Sequence, residues 1–198
     1  MSWILTRGLR RFDFNDPGSF DYRVSDIASA LSNLCRFTGH TSEFYSVAEH
    51  SVLVSTLVPQ QHALEGLLHD AAEAFVGDMS NPLKQHFPEF KALEKKVDAA
   101  IREKFGLPAT PTPAVKQMDI GMLYAELFKF FPINGAELDT WDCFKTLNQT
   151  DKQRCINVLR DYVRRRNIAA RDSGAGFLNA AAALGYREFV AGFRELTE

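Results

Sequence analysis

Apolar residues that recur every three or four positions, in segments closed by glycine or proline, constrain this chain more than any other feature. In "PEFKALEKKVDAAIREKFG" Phe90, Leu93, Val97, Ile101 and Phe105 share one face with charges opposite, so the segment reads as an amphipathic helix ended by Gly106 and Pro108, its charges a solvated face. The same spacing runs through "SDIASALSNLCRF", where Ser25 or Asp26 caps a helix that carries Ile27, Leu31 and Leu34 and ends near Arg36. Ser46 and Glu49 form an S-x-x-E capping box, opening a helix that runs to about Leu57 and is closed by Pro59. A further helix is expected over about 60–76, stopped at Gly77, and another over about 113–131, stopped by Pro132. Helical patterns return from Thr150 to about Ala169 and through "YREFVAGFREL", split by the Gly-rich "DSGAG". Around Gly8, "WILTRGLRRFDF" alternates apolar and polar residues and predicts a short β-hairpin. The fold class expected is all-α, a bundle of about seven helices with a short N-terminal β-hairpin.

With 198 residues and 45% hydrophobic content the chain can bury a core without disulfides. One domain over 1–198 is expected, its motif-bearing core at about 25–131 and the C-terminal helices at about 137–198 packed on it. Lys and Arg number 23 against 25 Asp and Glu, so no general excess of positive charge favours a nucleic-acid backbone or an anionic membrane, and stable nucleic-acid binding is not expected. Cys35, Cys143 and Cys155 are odd in number, widely spaced and without a CxxC pair, which predicts buried thiols in a reducing compartment. No stretch reaches the roughly 18 apolar residues of a membrane span, and "MSWILTRGLRRF" lacks a signal-peptide run. A cytoplasmic protein without a membrane partner is expected.

Several polar residues fall where apolar ones belong. At about 100 degrees per residue, Val47, Leu53, Val54 and Leu57 surround His50, so an imidazole sits in a buried stripe and needs partners for its nitrogens. Val115, Met122, Leu123 and Phe130 likewise surround Asp119, with Glu126 two turns along; an inward carboxylate requires a proton or a nearby cation, for which Lys116 is close in sequence. Glu126 reads either as support for a metal ligand or as half of a salt bridge. His69 and Glu73 share one side of the helix over 60–76, with Asp70 beside them. Imidazole and carboxylate from three helices suit a divalent ion such as Mn, Co, Mg, Fe or Zn.

The order His50, His69-Asp70, Asp119 resembles the HD-domain metal-dependent phosphohydrolases, whose H…HD…D pattern lies on successive helices of an all-α fold. "HDAAEAFVGD" is similar to the H-D-x-x-E-x-x-x-x-D block of their 5'-deoxynucleotidase branch, and "DIASALSNLCRFTGHTSEFYSVAEHSVLVS", "NPLK" and "VKQMDIGML" resemble phage and prophage members of that branch, from about Trp3 to Phe130. The resemblance implies that His50, His69, Asp70 and Asp119 hold one divalent ion, that Glu73 and Asp78 together form the catalytic acid and base system with no division of roles between them given, and that Arg36 meets a phosphate. By the same resemblance Phe37, at the place where enteric relatives carry a tryptophan next to the sugar, and Lys84 of "NPLK", toward a phosphate, would be substrate contacts. The activity implied is hydrolysis of a deoxynucleoside 5'-phosphate (mono-, di- or triphosphate) by a metal-activated water, in a protein that forms dimers or higher homo-oligomers. Two alternatives share these residues: hydrolysis of another phosphoester, such as a cyclic nucleotide or guanosine alarmone, and a non-catalytic nucleotide-binding regulatory module.

Read blandly, Arg36 caps its helix, Glu49 serves the capping box, and Glu65 keeps its helix soluble. His40, His62 and His86 are surface or loop residues, "VRRRN" at 163–167 is a surface patch, and Cys35 and the aromatics of "FKFF" are packing.

Overall fold

A computed structural model describes residues 2–19, 21–172 and 177–197. The chain opens on two antiparallel strands, β1 (Trp3–Leu5) and β2 (Arg11–Asp13), in the register Trp3↔Asp13, Ile4↔Phe12 and Leu5↔Arg11. Among the described residues ten α-helical segments follow: α1 (Val24–Asn33), α2 (Val47–Leu57), α3 (Ala63–Leu68), α4 (Glu73–Val76), α5 (Asn81–Lys84), α6 (Pro88–Lys104), α7 (Pro113–Phe130), α8 (Gly135–Leu138), α9 (Gln149–Asp172) and α10 (Phe177–Thr197). The fold is all-α with a short N-terminal hairpin, as its periodicity predicts. The stretch 173–176, read as the break before the last helix, lies outside the described residues.

So short a ribbon is marginal alone, and Phe12 anchors it: its ring is fully buried and stacks on Phe75 of α4, centroids 3.9 Å apart. Gly8 brings the turn against α1. Its N–H donates to Asp26 Oδ1 at 2.8 Å, and a Cβ there would stand 2.6 Å from that oxygen, so any side chain would have to displace the Asp26 carboxylate. Asp26 also accepts from the Arg23 N–H at 3.1 Å, and thereby closes the start of α1.

Helix α2 is the central element, packed against α1, α3, α7, α9 and α10. One side of it joins a core built on Ile27, Leu31, Leu67, Val97, Ile101 and Phe189, and the other a core of Val115, Met122, Leu159 and Tyr162. The expected capping box closes its start: the Glu49 N–H donates to Ser46 Oγ at 3.3 Å, and the Ser46 N–H to Glu49 Oε2 at 2.8 Å. The single helix expected over 60–76 is instead divided. From Leu68 onward the backbone bonds shorten to the i→i+3 pattern, with the Ala71 N–H on Leu68 O at 3.0 Å and the Glu73 N–H on Asp70 O at 3.0 Å, a tightening common at functional positions.

Tertiary contacts overturn several bland readings. Arg166 of "VRRRN" is buried, not a surface residue: it donates to Phe44 O at 2.7 Å and Glu49 Oε1 at 3.1 Å and pairs with Glu43. Glu65 is buried, accepting the Thr112 N–H at 2.8 Å and its hydroxyl at 2.7 Å at the start of α7. Arg102 on the supposedly solvated face of α6 is buried beside Glu65 at 3.5 Å. Arg36 lies past the end of α1, in a turn over Arg36–Gly39, and so caps no helix. Of the cysteines, all free, only Cys155 is buried, and Phe128 of "FKFF" is exposed.

Truncating Arg166 to Ala leaves Glu49 buried without its cation, a change that typically costs about 3–5 kcal/mol. The expected result is a lower urea midpoint with an unchanged denaturant slope. A shift under about 1 kcal/mol, the ordinary worth of an exposed pair, would show that the network does not bind α9 to α2.

Candidate functional site

Helices α2 and α7 and the tightened turn after α3 bring three ligand-type groups to one point. Atoms of His50, His69 and Asp119 lie within 4.8 Å of one another. The His50 and His69 Nε2 atoms are 3.2 Å apart; Asp119 Oδ1 stands 3.2 Å from the first and 3.8 Å from the second. Asp70 Oδ2 lies alongside, 3.2 Å from His69 Nε2 and 3.7 Å from His50 Nε2.

The protons on the two imidazoles follow from their outer nitrogens. His69 Nδ1 is 2.8 Å from Gly66 O, a pure acceptor, so Nδ1 carries the hydrogen. His50 Nδ1 is 2.6 Å from Glu126 Oε1. Burial opposes ionisation of Glu126, but the Arg36 guanidinium and His50 outweigh it and lower its pKa, so the carboxylate accepts and His50 Nδ1 donates. Both Nε2 lone pairs then face each other beside Asp119, an arrangement that repels unless a proton or a cation lies between them. The donor set of two imidazoles and a carboxylate fits a divalent metal, and this cluster could hold one.

Without an ion, protons do part of that work. Burial opposes the charged form of His69, but Asp70 and Asp119 outweigh it and raise its pKa well above the usual value. At His50, burial and Arg36 oppose protonation, and Glu126 and Asp119 overcome them. Asp70 is held down to about 2, burial being outweighed by His69. A metal must therefore displace protons: at neutral pH its uptake should release at least one per ion, and affinity should fall on acidification through the raised histidine pKa. Calorimetry in two buffers of different ionisation enthalpy measures this, and a buffer-independent heat would contradict it.

His50 is buried as its place in the stripe predicts. Asp119, expected to be shut away from water beside Lys116, instead has a side chain 44% exposed and lines the open side, with the two imidazoles rather than exposed Lys116 as its partners. Arg36 belongs to the same assembly: its Nε and Nη2 donate to Glu126 at 3.2 and 3.0 Å, and Nη1 stands 3.6 Å from Asp70. Glu126 therefore does both things expected of it as alternatives, supporting His50 and pairing with Arg36. Phe37 leans on Phe131 with centroids 5.2 Å apart, and both Phe37 and Thr38 have positive φ, 53° and 55°, a costly conformation for such residues.

A cleft of about 200 Å³ extends from His69 and Asp70 past Glu73 to Lys84 and Glu94. Glu73 is buried and its Oε2 has no hydrogen-bond partner among the described residues; burial, then Asp70 and Asp78, raise its pKa well above the ordinary range. Asp78 is half-buried, its pKa raised chiefly by burial and by Asp70 against the pull of Arg36 and Lys84. Lys84 reaches Glu73 Oε1 at 3.7 Å but bonds Glu94 at 2.6 Å. Sequence reasoning missed Glu94, since its position on the charged face of α6 gives no sign that it turns toward the cleft. A larger cavity of about 300 Å³, between the hairpin, α1 and α4, has no imidazole in its lining.

No protein-family model matches the chain. It is 39% identical over 49 residues to a 5'-deoxynucleotidase of Vibrio parahaemolyticus, a quarter of each chain. No helix among the described residues is long and apolar enough to cross a membrane. The chain is 36% identical over 152 residues to an uncharacterized protein of Rhodobacter capsulatus, covering 70% of this chain and 78% of that one. To the uncharacterized protein YfdR of Escherichia coli K12 it is 49% identical over 126 residues, 64% of this chain and 71% of the relative. With such identity over more than two thirds of YfdR, and an all-α fold that gathers His50, His69 and Asp119, this chain belongs to the YfdR family.

Proposed function

We propose that this protein is a metal-dependent phosphohydrolase of the HD type that releases phosphate from deoxynucleoside 5'-phosphates. One observation carries the reading: two Nε2 atoms, each fixed as an acceptor by its outer hydrogen bond, converge with Asp119 beside a buried acid, Glu73. The short stretch shared with a 5'-deoxynucleotidase supports the reaction class and suggests the substrate. In this reading His50, His69, Asp70 and Asp119 hold one divalent ion, which supplies Lewis acidity that lowers the pKa of a water toward about 7 and offsets phosphoryl charge.

The chain's own groups do the rest. Glu73, whose raised pKa keeps a proton on its carboxyl group, gives that proton to the leaving 5'-oxygen as water adds to phosphorus and the phosphorus–oxygen bond breaks. Asp78, less buried and with a smaller rise, orients the attacking water and takes its proton. Arg36 keeps Nη1 only loosely engaged by Asp70 at 3.6 Å, so this edge can meet a phosphate oxygen without releasing Glu126. Lys84 adds positive charge on the far side of the cleft, and Phe37 lies next to Arg36 against the sugar.

The test is phosphate release from a panel of deoxy- and ribonucleotides, with cyclic nucleotides and a guanosine alarmone as competitors, in Mn, Co or Mg. Deoxynucleoside monophosphates should be hydrolysed, with activity lost to chelator and restored by metal. Turnover indifferent to chelator, or no phosphate from any ester, would refute the proposal.

A further inference from the structure

The wall of the cleft opposite the imidazoles contains a three-residue chain that the proposed reaction does not use in full. Lys84 ends α5, a helix of four residues, and its flexible stem allows the ammonium several positions. Two carboxyl groups lie within reach of it. Glu94 of α6 holds it at 2.6 Å, a charge-assisted hydrogen bond, while Glu73 Oε1 stands at 3.7 Å, within electrostatic range but beyond hydrogen-bond reach. All three side chains are at most one fifth exposed, at 10% for Glu73, 13% for Lys84 and 19% for Glu94, so solvent does little to weaken these interactions.

Were Glu94 absent, Glu73 would be the nearest carboxyl group to this ammonium among the described residues. A direct Lys84–Glu73 pair would tie up the carboxyl group that faces the substrate and draw Lys84 from the cleft. Glu94 comes from a long helix whose Val97 and Ile101 are locked in the core, so its anchor point is firmer than α5 itself.

We propose that Glu94 is a positioning residue of this site, holding the Lys84 ammonium close to Glu73 yet out of direct bonding with it. The inference rests on the phosphohydrolase reading. Glu94 touches neither the metal ligands nor the reacting atoms; it acts through Lys84.

Steady-state kinetics of Glu94→Ala, Lys84→Met and the double variant, on the metal-loaded protein with a deoxynucleoside monophosphate, test the proposal. The expected result for Glu94→Ala is a kcat lower by roughly tenfold, within what misplacement of an active group costs, with KM changed less than about twofold. The double variant should be no slower than Lys84→Met, because without the ammonium Glu94 has nothing to hold. In the metal-free protein, acylation of the Lys84 amine, followed by mass spectrometry, should run several-fold faster in Glu94→Ala. Glu94→Gln, which preserves size and an acceptor oxygen, should show a smaller loss of kcat and serves as the second variant if Glu94→Ala does not fold. Unchanged kcat, a rise in KM alone, losses that multiply in the double variant, or unchanged acylation would each overturn the proposal. Wild-type turnover tests the reading beneath: an inactive wild type removes both, and an active one with an unaffected Glu94→Ala removes only the role of Glu94.

Discussion

Asp119→Asn should lower affinity for a divalent ion more than about 100-fold, beyond what loss of an outer-shell partner costs, and should reduce phosphate release on the order of 10³-fold, the loss of several kcal/mol of charge stabilisation. The side chain is 44% exposed and, among the described residues, pairs with the two imidazoles, so the amide fits without disturbing the core. What it removes is charge. The carboxylate, with its pKa well below the ordinary value because His50 and His69 outweigh the effect of burial, is the anion nearest His50 Nε2. Its loss leaves the two facing lone pairs with only Asp70 to balance a cation. Calorimetric titration with Mn, alongside thermal melting, separates binding from folding; unaltered metal affinity would remove Asp119 from the centre.

Glu73→Gln is expected to give the complementary result: metal still binds, while turnover falls by about 10²–10⁴, the usual contribution of a positioned acid or base. Stability should hold or rise. The raised pKa means that ionising Glu73 opposes folding, a penalty that is absent below the unfolded value of about 4.3 and grows as the pH rises toward the folded one. Glutamine cannot ionise and escapes it. A destabilised site group whose removal costs activity but not folding would mark strain retained for chemistry. Wild-type turnover in this variant would show that Glu73 is no catalytic group. Loss of metal together with turnover would place Glu73 in the metal shell instead.

The helical fold was legible because its cause is local. A helix needs only its own backbone bonds and an apolar face, so α2, α6 and α7 are visible in the spacing of their hydrophobic residues and in Ser46, Glu49 and Gly106. His50 was legible for the same reason, as a polar residue in an otherwise apolar stripe. The turn after α3 was not, because its shortened hydrogen bonds leave the apolar spacing unchanged. Asp119 shows the limit most clearly: helix phase turned it toward the bundle, yet the bundle opens there, and the exposure of a side chain depends on neighbours that its own helix does not specify.

Charge partnerships were the least legible. Arg166 and Glu49 are 117 residues apart, Arg36 and Glu126 are 90, and Lys84 and Glu94 sit on separate helices, so no periodicity links them. A buried charge is tolerable only where another segment supplies its counter-charge, and that is decided by packing. The amino-acid pattern by itself thus determined which segments are helical and which inward positions carry imidazole or carboxylate. Only the tertiary structure decided that His50, His69 and Asp119 meet, that Glu126 and Gly66 turn both Nε2 atoms toward one point, and that Glu94 rather than Glu73 holds Lys84, because each depends on distances between helices that no stretch of sequence contains.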